Sequence, residues 1–73
     1  MTTMRYAIVI VKSENNFGAW VPDLPGCVAT GATVDIVHKR IQEAIGWHLA
    51  GMQEDGEPIP PPLAQVDYVD VAA

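Results

Sequence analysis

Cysteine and long apolar runs are scarce in this sequence, and each shortage excludes a class of protein. Cys27 is the only cysteine among 73 residues, so no disulfide can form within one chain. A lone cysteine is typical of a reducing compartment. The sequence shows no signal peptide and no apolar run near the length of about 18 residues that a membrane-spanning helix needs. We therefore expect a cytoplasmic protein that does not cross a membrane.

Positive charge is scarce as well. Four Lys and Arg residues stand against nine Asp and Glu residues, which gives a net charge of −5. Proteins that bind nucleic acid usually present a basic patch, because neutralising phosphates drives their affinity. Lys39-Arg40 is the only basic pair, so we expect no direct nucleic-acid binding. An acidic balance favours solubility or attraction to a basic protein partner.

The element order follows from hydrophobic periodicity and turn residues. It predicts one α+β domain over residues 1–73, in the order β-β-β-α-β, with an antiparallel sheet of about four strands and one long helix on one face. The predicted strands are Met4–Lys12, Phe17–Val21, Cys27–Thr30 and Gln65–Val71. Pro25-Gly26 fits the centre of a type II turn, since proline fixes φ and glycine tolerates a positive φ.

A long helix is predicted between the third and fourth strands. Thr33 is a suitable N-cap, and apolar residues then recur at helical spacing as far as Glu54-Asp55. Gly56 fits the C-cap position and Pro58 prevents the helix from continuing. Residues 58–62 then form a stiff, proline-rich connector to the last strand.

The first strand, Met4–Lys12, is apolar on both faces and so requires cover on both faces of the sheet. One helix covers only one face. A chain of this size also has a marginal core of its own, because it buries only about 60% of its unfolded surface. We therefore expect a homodimer or a larger assembly, in which a second copy covers the other face.

No constellation of side chains predicts catalysis, a cofactor site or a metal site. Asp23 close to Cys27, with a histidine, suggests a thiol nucleophile, but a buried free thiol is the commoner state of a lone cysteine. His38 and His48 point about 80° apart around the helix, so they do not share a metal ion. Asp67 and Asp70 fall on opposite faces of the last predicted strand, which argues against an acid–base pair. We expect a protein that is not an enzyme.

Two side chains off the main helical stripe are candidates for protein contacts. Ile36 and Trp47 lie on a side of the helix that we expect to be less buried. Exposed aromatic residues are typical of interfaces, because they bury a large area and keep a polar atom available. We assign Ile36 and Trp47 to self-association. The alternative is that Trp47 only closes the rim of the chain's own core.

Two motifs resemble the HicB-like antitoxins of bacterial toxin–antitoxin pairs. The first is Trp20–Cys27 (WVPDLPGC), with the strand Tyr6–Val11 before it and Gly31-x-Thr33 after it. The second is Glu54–Pro60 (EDGEPIP), which follows Glu43-Ala44-Ile45. The resemblance covers nearly the whole chain, and the two motifs at this separation are more specific than either alone.

The resemblance implies a β-β-β-α-β domain that is partly like ribonuclease H but lacks ribonuclease activity, with no cofactor. It also implies self-association and a partner, a small basic HicA-like toxin that cleaves messenger RNA and whose active surface the antitoxin covers. We place the toxin-binding surface at Trp20, Asp23, Leu24 and Pro25, with nearby acidic groups.

The sequence departs from the family pattern in two places. Many family members carry a C-terminal ribbon-helix-helix or helix-turn-helix segment that binds the operator, and we expect no such DNA-binding segment in this sequence. Ile36 stands where the family tends to have an acidic residue, which favours a different self-association surface. The alternative function is an orphan oligomeric domain with a structural or ligand-sensing role and no toxin partner.

Overall fold

Three short strands form an antiparallel sheet, and one long helix packs against it. The computed structural model describes residues 3–73. The elements are β1 (Val9–Lys12), β2 (Phe17–Trp20), β3 (Val28–Gly31) and α1 (Val34–Glu54), and the sheet order is β1-β2-β3. Residues 3–73 contain no helix that is both long and apolar enough to cross a membrane.

The register of the strands decides which residues face the helix. Ile10, Ala19 and Ala29 lie side by side across the three strands. Ala19 is buried, and Ile10 and Ala29 pack against the core around it. Since side chains alternate between the two faces of a sheet, this row faces α1. The core consists of Ala19, Val21, Leu24, Cys27, Val37 and Ile41.

The other face of the sheet has no helix over it. Val9, Trp20 and Val28 form the matching row on that face. Trp20 and Val28 are exposed, with 65% of the Val28 surface accessible to solvent. One helix therefore covers one face only, and an apolar row remains on the other.

The N-cap of α1 follows the prediction from the sequence, and the helix ends at the predicted place, although its C-cap is Asp55 rather than Gly56. The hydroxyl of Thr33 accepts a hydrogen bond of 3.1 Å from the backbone N–H of Ile36, which makes Thr33 the N-cap. At the other end Asp55 is the C-cap and Gly56 follows it with a φ of +72°. The N–H of Gly56 bonds to the carbonyl of Gln53 at 3.2 Å, and the N–H of Glu57 bonds to that of Met52 at 2.9 Å. This pair of bonds is a Schellman motif, which stops the helix.

The fourth predicted strand, Gln65–Val71, is wrong, because residues 57–73 contain neither helix nor strand. The alternation of apolar residues identifies a segment that is able to form a strand. A strand also needs a neighbouring backbone with which to form ladder hydrogen bonds. Within residues 3–73, no backbone hydrogen bond joins this segment to the sheet.

The predicted boundaries of β1 and β3 also differ from those in the structure. β1 begins at Val9 rather than Met4, because β2 ends at Trp20, opposite Val9, and the chain then turns away. Residues 4–8 therefore extend beyond any partner strand. β3 is displaced by one residue from its predicted range, since Cys27 still belongs to the turn.

Gly31 allows β3 and the first turn of α1 to approach closely. A Cβ atom on Gly31 would lie 2.8 Å from the backbone nitrogen of Val37 and 2.9 Å from Cγ2 of Ile36. Contacts this short cannot be relieved by a flexible side chain alone, because one of the atoms belongs to the helix backbone. The sheet and the helix can therefore touch here only because Gly31 has no side chain.

We expect Gly31→Ala to lower the free energy of unfolding by about 1–3 kcal/mol, the usual cost of overpacking a core. Gly18→Ala is the matched control, because a Cβ on Gly18 meets no atom within 4 Å. Urea unfolding of both variants at one protein concentration measures the difference. Equal stabilities of the two variants would contradict the close approach.

Candidate protein-binding surface

The turn between β2 and β3 is closed by three backbone hydrogen bonds. The N–H of Leu24 donates to the carbonyl of Val21 at 3.1 Å, and the N–H of Cys27 donates to that of Leu24 at 3.1 Å. A bond of 3.2 Å from the N–H of Val21 to the carbonyl of Cys27 closes the loop. Gly26 has a φ of +84°, so Pro25-Gly26 occupies the centre of a type II turn as the sequence predicts.

This turn places the four residues of the expected toxin-binding surface in different environments. Trp20 is exposed on the uncovered face of the sheet, and Pro25 is exposed at the turn. Asp23 is half-buried. Leu24 is 0% exposed and belongs to the core, so its side chain is not accessible to a partner in this structure. The side chain of Leu24 lies in the core together with those of Val21 and Cys27, its neighbours in the turn.

Asp23 connects the turn to the C-terminal segment. Its Oδ2 atom accepts a hydrogen bond of 2.9 Å from the backbone N–H of Ala64. Nearby, the hydroxyl of Tyr6 donates to the carbonyl of Pro60 at 2.5 Å. Desolvation raises the pKa of the Tyr6 hydroxyl, and the negative charge of Asp23 raises it further. Two polar groups therefore hold residues 60–64 against the turn and against the residues that precede β1.

An open groove of about 520 Å³ lies between the turn and the C-terminal half of α1. Pro25 of the turn and Trp47 of the helix, which is 74% exposed, both line it. The remaining lining residues are His48, Gly51, Met52, Asp55, Glu57 and Pro60, and the groove also borders Leu24, which has no surface accessible to solvent. The groove thus brings together residues of the two motifs, which are 30 residues apart in the sequence (Pro25 and Asp55).

His48 and Met52 are lining residues that the sequence analysis did not assign to a surface. The signal that identifies them is spacing, since residues 48, 51, 52 and 55 recur on one side of a helix. Ile36 and Trp47 do not come together. They are separated by roughly 16 Å along the helix axis, at about 1.5 Å per residue. Ile36 instead lies against β3, next to Gly31.

The C-terminal end of α1 is strongly acidic. Its last turn contains no basic residue and ends at Glu54, and Asp55 and Glu57 follow directly after it. The helix dipole already places partial negative charge at this end. The carboxylates therefore repel the end of their own helix, and one end of the domain carries a concentrated negative potential next to the groove.

Cys27 has the properties of a core residue. It is 3% exposed, and burial raises the pKa of its thiol. Among residues 3–73, no group of three His, Cys, Asp or Glu side chains is arranged to hold a metal ion. The chemistry that the described surface offers is therefore that of apolar contact and negative charge.

A protein-family model described as "HicB_like antitoxin of bacterial toxin-antitoxin system" matches residues 6–72. The chain belongs to this family. The resemblance drawn from the two sequence motifs is confirmed, and the three-stranded domain with one helix is a HicB-like fold. Membership of an antitoxin family points to a regulatory role rather than a catalytic one.

Relatives at 40% identity occur in a phage and in two cellular organisms. One is a 14.9 kDa protein of the rep-hol intergenic region of Haemophilus phage HP1, aligned over 57 residues that make up 78% of this chain and 43% of the phage protein. The UPF0150 protein of Helicobacter pylori aligns over 47 residues, 64% of this chain and 65% of that protein. The UPF0150 protein of Archaeoglobus fulgidus aligns over 57 residues, 74% of this chain and 83% of that protein. The chain therefore spans about two fifths of the phage protein's length and more of the others.

A solved structure with the same fold is the HicA3 and HicB3 toxin–antitoxin complex. A chain of that complex is 32% identical to this HicB-like domain, with a TM-score of 0.71. The match covers 82% of this chain and 70% of the other.

We expect Asp23→Ala to release residue 64 and the segment after it. Hydrogen exchange of the Ala64 amide should accelerate about 10- to 100-fold, because a hydrogen bond to a charged group contributes about 1.5–3 kcal/mol. Asp23→Asn keeps an acceptor oxygen and should give a smaller change. Asp70→Ala removes an exposed carboxylate and serves as the control. Unchanged exchange at Ala64 in Asp23→Ala would contradict the assigned role.

The buried thiol predicts a loss of stability at alkaline pH. The pKa of Cys27 is raised above its ordinary value of 9.0, so the folded state holds the proton more tightly than the unfolded state does. The resulting stabilisation is complete below the unfolded pKa and is lost as the pH rises through the folded pKa. Urea unfolding between pH 8 and pH 11 should therefore show a smaller decline for Cys27→Ala than for the wild type. The raised pKa of Tyr6 adds to the decline only above about 10, and it remains in the variant.

Proposed function

We propose that this HicB-like domain binds a small, basic, HicA-like toxin and neutralises it by covering the surface with which the toxin binds messenger RNA. The observation that carries the proposal is the match to a chain of the HicA3 and HicB3 complex over 82% of this domain at 32% identity. Family membership over residues 6–72 supports the same role.

Charge supports a basic partner. The chain has a net charge of −5, and three of its carboxylates stand at the negative end of α1. Opposite charges accelerate the encounter of two proteins and fix their orientation. An enzyme that cleaves RNA binds phosphates through basic side chains. Carboxylates that pair with those side chains would compete directly with the RNA for them.

The groove supplies the apolar part of the proposed surface. Trp47 is largely exposed beside it, and a large aromatic side chain is a typical anchor of a protein interface. Pro25 adds a rigid side chain to the same groove, while Asp55 and Glu57 line it as charged groups. We assign toxin contact to this surface. Among the residues that the sequence analysis assigned to toxin binding, Pro25 belongs to this surface. Asp23 lies next to it in the turn, and Trp20 lies on the uncovered face of the sheet.

The acidic end of α1 supports a binding role rather than a structural one. Carboxylates at a helix C-terminus lower stability by about 0.3–1 kcal/mol each. Replacing them should therefore leave the fold intact or slightly more stable while it weakens the interaction with a basic toxin.

The test is co-expression with any small basic protein that is encoded beside this gene, followed by purification under native conditions. We expect the two proteins to purify together and RNA cleavage by the toxin to be suppressed. Glu54→Gln, Asp55→Asn and Glu57→Gln combined should raise the Kd at least about tenfold at low salt, with a weaker dependence on salt. Thermal unfolding of the free variant should show no loss of stability.

Glu57→Gln and Glu14→Gln form a matched pair of single variants, since both remove one exposed carboxylate and only Glu57 lines the groove. Equal effects on Kd would show that net charge alone matters and would contradict the assigned surface. Recovery of this chain alone, with no small basic protein encoded nearby, would overturn the proposed function in favour of an orphan oligomeric domain.

A further inference from the structure

Gly51 lies on the groove side of α1 at a position where the fold does not require a glycine. Its φ is not positive, and a Cβ atom on it would meet no atom within 4 Å. Glycine is unfavourable inside a helix, because it loses more backbone freedom on folding than other residues do. Neither backbone conformation nor packing therefore accounts for Gly51. The effect of its missing side chain is to leave open space above the helix.

Two different kinds of group stand on either side of this space. Trp47 precedes Gly51 by one helical turn and Asp55 follows it by one turn, and all three line the groove. Residues four apart lie on the same face of a helix. An aromatic ring and a carboxylate therefore start about 12 Å apart along the helix axis, at about 1.5 Å per residue, and the residue between them on this line has no side chain.

The remaining lining residues match an occupant that is apolar along its length and positively charged at its end. Pro25, Met52 and Pro60 supply apolar contact, and Glu57 adds a second carboxylate next to that of Asp55. None of the residues that line the groove is a lysine or an arginine. The groove thus offers two carboxylates without a basic side chain of its own to pair with them.

We propose that the groove above Gly51 binds an arginine side chain of a basic protein partner, with the guanidinium held between the ring of Trp47 and the carboxylates of Asp55 and Glu57. A guanidinium stacks on an aromatic ring and donates two parallel hydrogen bonds to a carboxylate, whereas the ammonium of lysine is a point charge. The inference rests on the proposed function for the identity of the partner, the toxin. It makes Gly51 the residue that decides whether the arginine is able to enter.

The position of the groove at the C-terminal end of α1 favours a cation over other occupants. The helix dipole places partial negative charge at this end, which adds to the field of Asp55 and Glu57. An acidic side chain would be repelled there. An apolar side chain would remove water from the carboxylates without replacing the hydrogen bonds that they lose.

The test uses the whole chain labelled with ¹⁵N and a blocked tetra-arginine peptide as the probe. The titration is followed by NMR at low salt and at pH 8, where histidine side chains are neutral. We expect the backbone signal of Gly51 and the indole N–H signal of Trp47 to shift and to saturate together. A tetra-citrulline peptide, which has the shape without the charge, should bind at least about tenfold more weakly, and a tetra-lysine peptide at least about threefold. Binding of either peptide as tight as that of tetra-arginine would overturn the proposal.

Gly51→Leu and Gly46→Leu form a matched pair of variants. Both glycines lie in α1 and a Cβ atom on either meets no atom within 4 Å, but only Gly51 lines the groove. Gly51→Leu should raise the Kd for tetra-arginine at least about tenfold, while Gly46→Leu should change it less than about twofold. Neither variant should lower the thermal stability, because leucine is the better helix former. Equal Kd values of the two variants would contradict the assigned site.

The same variants separate this inference from the proposed function. A toxin that binds the wild type and both leucine variants with equal affinity would overturn the arginine site and leave the proposed function in place. Binding of tetra-arginine at Gly51, with no basic protein that purifies with the chain, would support the arginine site and overturn the proposed function.

Discussion

The structure depends on the packing of one helix against one face of a three-stranded sheet. Gly31 lets the sheet approach the first turn of α1 closely, and the contact encloses a core that includes Leu24, Val37 and Ile41. Because the sheet has only three short strands, this single contact supplies most of the buried apolar surface. The uncovered face and the free edge of β1 follow from the same arrangement, since one helix reaches neither.

The turn between β2 and β3 contributes to that core and to the surface at the same time. Its backbone bonds hold Leu24 inward, and the same turn leaves Pro25 exposed at the groove. Asp23 stands between these two roles, because its carboxylate accepts a hydrogen bond from Ala64 and thereby sets the direction of the C-terminal segment. The motif contains an acid, Asp23, and a thiol, Cys27, and both have structural roles. The thiol is buried, and its pKa is raised.

The positions of the acidic residues at the ends of α1 are not all explained by the stability of the helix. The first turn of the helix contains Asp35, where a carboxylate is favourable, but Glu54, Asp55 and Glu57 stand at its other end, where carboxylates are unfavourable. The Schellman motif at Gly56 offsets this by satisfying the last carbonyls through the backbone. Backbone hydrogen bonds, rather than charged side chains, therefore end the helix. The acidic side chains at this end are left available for a partner.

The sequence by itself determined the local structure and the family. Thr33, Gly56 and the Pro25-Gly26 turn were predictable because caps and turns depend on the conformational preferences of one or two residues. The family was identified from two sequence motifs, which are recognisable without a structure. The tertiary structure decided what depends on distant contacts: that Leu24 points into the core, that Pro25 and Asp55 line one groove, and that β1 begins only at Val9. It also decided that Gln65–Val71 is not a strand within the chain, because alternation of apolar residues specifies a strand's faces while hydrogen bonding requires a neighbour, and in these positions the chain supplies none.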